Sequence, residues 1–279
     1  MVRITVLKDN RAARPAVTPG HGLALLVETP DRRVLLDTGP DDTVVANARA
    51  LRIPLAPLDA IVLSHGHYDH TGGLEAVLGV TGPVKVVGHP AIFDRTFSGS
   101  QAGELRDIGM RRSRADYEAA GAYFELTEMP YRLGEALLTS GHVPPLHLEP
   151  RQRAGLWRER DGSLRADDFR DDCTLVVQLG ESAAVLTGCA HPGLGNVLCK
   201  VRTLEPQRPL HTLVGGLHLG AATEDEVSQL ARELAEWGVK TVLPCHCTGE
   251  PAMRVLRDRF VGKVIAVGVG SVIALHDDG

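Results

Sequence analysis

The chain has no run of about 18 apolar residues, so nothing in it reads as a membrane span. Its start, Met1-Val2-Arg3-Ile4-Thr5-Val6-Leu7, lacks the apolar core of a signal peptide and reads as a first strand. A cytoplasmic protein is the expectation. Cysteine is sparse and odd in number, at positions Cys173, Cys189, Cys199, Cys245 and Cys247. Without an export signal, that count argues against a disulfide framework. Cys245-His246-Cys247 suggests a zinc knot, but no second cysteine pair stands at finger spacing, and the thiols read as buried groups beside a site. Positive charge is in deficit: 30 Lys and Arg against 35 Asp and Glu leave a net −5, which excludes a broad nucleic-acid footprint. There is no internal repeat and no low-complexity linker. Gly268-Val269-Gly270 has no third glycine and no following helix, so it is no dinucleotide fingerprint. Ser64 has no carboxylate–His pairing in sequence that would mark it as a nucleophile.

What remains is ordinary globular composition. The 279 residues are 43% hydrophobic and 23% charged, enough to bury a substantial core. A single domain over 1–279 is expected. Strand-like segments dominate the first hundred residues. Gly22 to Glu28 and Arg33 to Leu36 flank the turn Thr29-Pro30-Asp31 and read as a hairpin. Asp41 to Arg52 reads as a helix, and Ala60 to Leu63 and Val84 to Val87 as buried strands. Residues 89–172 are richer in charge and weaker in periodicity; Arg151 to Asp172 alone holds six Arg and six acidic residues. This stretch reads either as surface loop or as a lid or substrate-binding insertion.

Regular structure resumes with Thr174 to Val177 and Ala183 to Leu186. A helix is expected from about Leu194 and a strand at His211 to Val214. Thr223 to Trp237 is the clearest helix. Thr223 and Glu226 form a capping box, Val227, Leu230, Ala231, Leu234 and Trp237 share one face, and Gly238 stops it. A strand at Lys240 to Leu243, a helix at Ala252 to Phe260 and strands at Val264 to Val267 and Ser271 to Leu275 close the chain.

The chemistry is concentrated in His65-Gly66-His67-Tyr68-Asp69-His70, which follows an apolar strand and leads into Thr71-Gly72-Gly73. Three imidazoles and a carboxylate in six residues are what a two-metal site needs, and these donors suit zinc, with iron or manganese as alternatives. The expected split gives His65 and His67 to one ion and turns Asp69 and His70 toward a second. His191, His218 and His246 each follow a strand-like segment, and strand ends on one sheet edge are where α/β folds assemble sites. His191 is expected to complete the first ligand set and His246 the second, with His218 near them or touching substrate. Asp37 either orients a ligand imidazole or caps its own turn. Cys189 reads as a metal neighbour or a small buried residue. His142 is a candidate near the substrate, and Arg111, Arg112 and Arg114 either grip phosphate or form a solvated basic turn. Two ions close together lower the pKa of a shared water toward roughly 7 and stabilise a leaving group. Asp69 is a further candidate as proton acceptor.

The strand–His-x-His-x-Asp-His–Gly-Gly pattern resembles the metallo-β-lactamase superfamily, over nearly the whole chain. Leu36-Asp37-Thr38-Gly39, Leu186-Thr187-Gly188-Cys189-Ala190-His191, Gly215-Gly216-Leu217-His218-Leu219 and Pro244-Cys245-His246-Cys247-Thr248-Gly249 resemble one branch of it. That branch holds the 7,8-dihydropterin-6-methyl-4-(β-D-ribofuranosyl)aminobenzene-5′-phosphate synthases. The resemblance implies an α/β fold, an αββα sandwich, with metal ligands at His65, His67, Asp69, His70, His191 and His246. Cys189 stands in a Gly-x context comparable to that of the bridging Asp of hydrolytic relatives. Where the branch often reads Gly-Glu-Ile-Pro-Arg, this chain reads Gly141-His142-Val143-Pro144-Pro145, so the namesake's substrate is not carried over to it. The leading expectation is a metal-dependent hydrolase in which metal-bound hydroxide attacks a small anionic phosphate-, ester- or lactone-bearing molecule. The alternatives are a transferase of the synthase type, releasing pyrophosphate, and a non-enzymatic ligand sensor. Neither a nucleic acid nor a membrane is expected as a partner.

Overall fold

The computed structural model describes residues 1–100, 103–145 and 155–276. Two β-sheets face each other across an apolar layer. The first has seven strands, in spatial order Val272–Leu275, Val2–Lys8, Ala24–Glu28, Arg33–Leu36, Ala60–Val62, Val84–Gly88 and Ala122–Leu126. The second has six, in the order Lys263–Val264, Thr241–Cys245, Leu210–Gly216, Ser182–Thr187, Thr174–Leu179 and Leu137–Thr139. Side chains alternate between the faces of a strand, and the chain uses both faces. Val34, Leu36 and Val62 of the first sheet pack against Leu175, Val177, Leu186 and Val214 of the second in one buried layer. Leu35, Ile61 and Val86 turn the other way, onto helices Thr43–Ala50 and Leu74–Thr81. Val176, Val185, Leu213 and Val242 turn outward onto helices Leu194–Leu204, Glu224–Glu236 and Glu250–Arg259. Three apolar layers between four structural ones make the expected αββα sandwich.

Each sheet is antiparallel on one side and parallel on the other. Ala24–Glu28 and Arg33–Leu36 form the expected hairpin. Arg33–Leu36, Ala60–Val62 and Val84–Gly88 run parallel, as do Ser182–Thr187, Leu210–Gly216 and Thr241–Cys245. The carboxyl ends of parallel strands therefore lie together along one edge in each sheet, and from these ends the His-bearing loops emerge. The helix Glu224–Glu236 begins as expected: Thr223 Oγ1 accepts from the Glu226 backbone N–H and the Glu226 carboxylate accepts from that of Thr223.

Several boundaries move. The first helix is shorter than Asp41 to Arg52, at Thr43–Ala50, and the strand expected at Val264 to Val267 is only Lys263–Val264. Residues 89–172 are not set apart as one body. Ala122–Leu126 extends the first sheet and Leu137–Thr139 edges the second. Four further strands, Thr96–Gly99, Leu105–Asp107, Leu156–Arg160 and Ser163–Ala166, build a separate antiparallel sheet where a charged loop was the alternative reading. The reason is that the buried residue of Leu156–Arg160 is Arg158, not an apolar one. Its guanidinium bonds Asp167 and Asp171 and the Ala91 carbonyl, so burial leaves no apolar alternation in the sequence. Positions 101–102 and 146–154 of the expected insertion lie outside the described residues.

Candidate metal centre

The loop after Ala60–Val62 puts His65 and His67 side by side and then enters a single helical turn, Tyr68–Thr71, that carries Asp69 and His70. Gly66 is required between the two imidazoles: a Cβ there would stand 2.3 Å from the Ile92 carbonyl oxygen. Its amide donates to Asp171 Oδ2 at 2.8 Å, which fixes the turn from the opposite side.

The imidazoles fall into two groups. His65 Nε2 and His67 Nδ1 are 3.1 Å apart, and the His191 ring lies edge-on to both, with centroids 4.8 and 4.9 Å away. His70 Nε2 and His246 Nε2 are 3.1 Å apart, and Asp69 Oδ2 lies 3.5 and 3.3 Å from them. Cys189 stands between the groups. Its sulfur is 3.2 Å from His70 Nε2, and its donor atom lies within 4.8 Å of those of His65 and His191. All six residues expected as ligands are thus drawn together, in the expected split. Cys189 is buried, as one reading had it, and its sulfur also lies beside the converging donors, as the other had it.

Three of the rings have their outer nitrogen tied to an acceptor. Asp37 Oδ2 accepts from His70 Nδ1 at 2.7 Å and from Ser64 Oγ at 2.8 Å, and Ser64 Oγ in turn is 2.9 Å from His65 Nδ1. His246 Nδ1 faces Asn10 Oδ1 at 3.1 Å. Protons held on these outer nitrogens leave the inner nitrogens as the ones that face the site and can bind an ion, which is how outer partners prepare ligand histidines. Asp37 therefore orients imidazoles in both groups, one directly and one through Ser64, and is not merely a turn residue.

Electrostatics follow burial and neighbours. Burial holds His191 and His65 well below the ordinary imidazole range, reinforced by the surrounding rings. Burial also pulls on His70, but Asp69 and Asp37 outweigh it and raise the ring to about 9. Asp69 is buried, which disfavours its charge, yet His70, His21 and His246 hold it well below the carboxylate range, so it is a poor proton acceptor. Burial pushes Asp172 well above that range, and its Oδ2 accepts the His191 backbone N–H at 3.0 Å.

Whether these residues suit a metal is answered by His191. It is buried and stacked flat on Phe169, with ring centroids 4.6 Å apart, and neither of its ring nitrogens has a hydrogen-bond partner among the described residues. A buried polar atom without a partner calls for an explanation such as an ion. Imidazole, carboxylate and thiol donors converging on the same space supply one.

The site opens into a cleft of about 230 Å³ lined by His67, Tyr68, Asp69, Arg106, His191, His218, His246 and Cys247, among others. His218 is on this wall, its ring centroid 4.2 Å from that of His191 and its Nδ1 buried without a partner. The other substrate candidates sit elsewhere. His142 faces the Arg170 carbonyl and packs near His89, off the cleft wall. Arg112 is paired with Glu75 and Arg114 with Glu118 on the surface. Arg111 lies over the Tyr68 ring, 4.4 Å from its centroid, but among the described residues the arginine on the cleft wall is Arg106, which donates to the Tyr68 hydroxyl at 3.0 Å. Sequence reasoning missed Arg106, Asn10, His21, Asp171 and Asp172. His21 Nε2 reaches Asp69 at 3.0 Å. Asp9 and Asn10 follow the strand Val2–Lys8 directly, and the strand-end rule used for the histidines would have found them.

Comparison with known proteins agrees with this fold. A 7,8-dihydropterin-6-methyl-4-(β-D-ribofuranosyl)-aminobenzene-5′-phosphate synthase of Methanocaldococcus jannaschii is 26% identical over 91% of this chain and 89% of its own. The crystal structure of Tm1679, a metal-dependent hydrolase of the β-lactamase superfamily, superposes with a TM-score of 0.86 and 31% identity, covering 99% of this chain and all of that one. YhfI of Bacillus subtilis, a metallo-β-lactamase-fold protein, shares the fold with a TM-score of 0.61 at 14% identity, over 98% of this chain and all of its own. No helix among the described residues is long and apolar enough to cross a membrane. The profile of the metallo-β-lactamase superfamily matches residues 17–246, and the chain belongs to that superfamily.

Proposed function

We propose that this protein is a metal-dependent hydrolase of a small anionic molecule bearing a phosphate, ester or lactone, working with two divalent ions, zinc first among the candidates. The observation that carries the reading is the convergence of two imidazole groups on Cys189, with His191 of the first group buried and unpartnered. His65, His67 and His191 would hold one ion, and Asp69, His70 and His246 the other, with Cys189 facing both. Bound there, the ions would activate water and stabilise charge on the leaving group. The chain's own residues supply the rest. Asp37 and Asn10 keep protons on the outer nitrogens of His70 and His246. His218 on the cleft wall is positioned to hydrogen-bond a substrate oxygen. Arg106, held against Tyr68, offers a positive charge at the mouth to an anion. The cleft is smaller than the roughly 300–1,000 Å³ of drug-sized sites, which favours a small substrate.

A second reading is favoured by the 26% identity to the synthase over 91% of the chain. In it the same centre stabilises a diphosphate leaving group while an amine, not water, attacks. Elemental analysis of the wild type and His67→Ala, with turnover of phosphodiester, lactone and pterin diphosphate panels, tests both. The hydrolase reading expects about two ions per wild-type chain and loss of both metal and hydrolysis in the variant. Undiminished hydrolysis by a metal-free variant would sink it. Pyrophosphate release that requires an added arylamine would favour the transferase.

A further inference from the structure

Three donor sets meet at the Cys189 sulfur. Two belong to the imidazole centre. The third joins Cys189 to His218 and Cys247, with donor atoms within 4.8 Å of one another. Its members come from three separate loops, after Ser182–Thr187, Leu210–Gly216 and Thr241–Cys245, and none of the six residues of the His-x-His-x-Asp-His segment takes part.

Several features show that this corner is built. Gly216 makes room for the Cys247 side chain, since a Cβ there would stand 2.6 Å from its sulfur. The His218 backbone N–H donates to that sulfur at 3.2 Å. His218 takes the left-handed backbone conformation, with φ of 49°, which places its ring on the cleft wall, and its Nδ1 is buried without a partner. All three residues line the cleft, so an ion has an entry path.

The donor chemistry differs from that of the main centre. The imidazole groups offer mostly nitrogen and oxygen, suited to zinc, iron or manganese alike. Two sulfurs and one nitrogen are a softer set, and soft ligands select thiophilic ions. We propose that Cys189, His218 and Cys247 form a sulfur-rich metal subsite on the cleft wall that takes a thiophilic divalent ion, zinc in the cell and cadmium as its probe. Each thiol releases its proton to solvent as the sulfur–metal bond forms. The subsite depends on the proposed function only through Cys189, the sulfur it shares with the imidazole groups. Because of that sharing, filling the subsite alters the imidazole centre, and the two occupancies are coupled.

The test is a cadmium titration of the reduced, full-length protein, following bound metal and the ultraviolet thiolate-to-cadmium charge-transfer absorption. Wild type should show the band. Cys247→Ser should keep about half of it, one of two thiolates being lost. His67→Ala should bind less cadmium and keep the whole band. His218→Gln, which removes the nitrogen donor and keeps both thiols, should reach the full band at saturation but only at higher cadmium concentration than wild type, and it decides the matter should Cys247→Ser fail to fold. Cadmium bound by wild type without the band would overturn the subsite and leave the imidazole centre standing. A full band in Cys247→Ser, or its loss in His67→Ala, would also overturn it. Wild type that binds no cadmium at all would overturn both the subsite and the proposed function.

Discussion

Replacing Asp37 with Asn asks whether one carboxylate sets the tautomer of a ligand histidine. Asp37 is fully buried and accepts three hydrogen bonds, from the Ser64 backbone N–H at 2.7 Å, from Ser64 Oγ at 2.8 Å and from His70 Nδ1 at 2.7 Å. Asn has the same shape but only one acceptor oxygen. If that oxygen keeps the Ser64 backbone, the new NH₂ faces His70 Nδ1. Two donors cannot oppose each other, so His70 must move its proton to Nε2. That nitrogen is the one 3.1 Å from His246 Nε2 and 3.2 Å from Cys189 Sγ. A proton there removes the lone pair directed into the site. Loss of an outer partner typically weakens metal binding about 10–100-fold, or about 1.4–2.8 kcal/mol. If the amide flips instead, its NH₂ opposes the Ser64 N–H and strands a buried donor, at about 1–3 kcal/mol of stability. Either orientation leaves a measurable loss, in metal affinity by chelator competition or in the thermal midpoint. An Asp37→Asn protein with wild-type values of both would refute the argument that Asp37 fixes His70.

Three other outcomes are expected. Arg158→Met leaves Asp167 and Asp171 buried without their cation and should cost about 3–5 kcal/mol, read from the denaturant midpoint; an unchanged midpoint would mean the buried ion cluster contributes nothing net. Stripping metal with a chelator should lower the thermal midpoint and zinc should restore it, because a ligand at about 100 times its Kd stabilises by about 2.7 kcal/mol; a chelator-insensitive midpoint argues that no ion is held in the folded state. Thr223→Ala removes the cap of Glu224–Glu236 and should cost about 1 kcal/mol while metal content stays at the wild-type value, and a change in metal content would show that this helix does more than cover the second sheet.

The layers of this fold were legible because each obeys a short-range rule. Val34, Leu36 and Val62 point into the sandwich while Leu35 and Ile61 point to the helices, and that double burial is why the strands read as continuous apolar runs. The His65–His70 segment was legible for a related reason: its chemistry is contained in six consecutive residues. Strand ends then led to Asp37, His191, His218 and His246. The four-stranded sheet escaped because its buried residue is a charged one, Arg158, whose partners Asp167 and Asp171 lie on the chain segment that follows Ser163–Ala166. Arg111 and Arg112 were set against phosphate on the strength of clustering alone, but clustering does not say which guanidinium already has a partner. Arg112 has Glu75, and Arg106, an isolated arginine in the sequence, reaches the cleft.

What sequence could not supply is the backbone that aims the site. Asp37, Ala190, His218 and His246 all adopt left-handed conformations, with φ of 59°, 58°, 49° and 49°, although none is glycine. Such positions cost of order 1–3 kcal/mol each and persist only where the surroundings over-determine them. The surroundings here do so. Asp37 is fixed by three hydrogen bonds, the backbone next to Ala190 by Asp172, His218 by the Cys247 sulfur, and His246 by Asp9 Oδ1, which accepts its backbone N–H at 2.6 Å. Each strained residue lies within three residues of the end of a parallel strand, and each carries or adjoins a side chain of the centre. Relaxing any of them to an extended conformation would swing a donor out of the space the others share. The strain is thus the geometric condition for four chain segments, 65–70, 189–191, 218 and 246–247, drawn from two sheets, to meet around one sulfur.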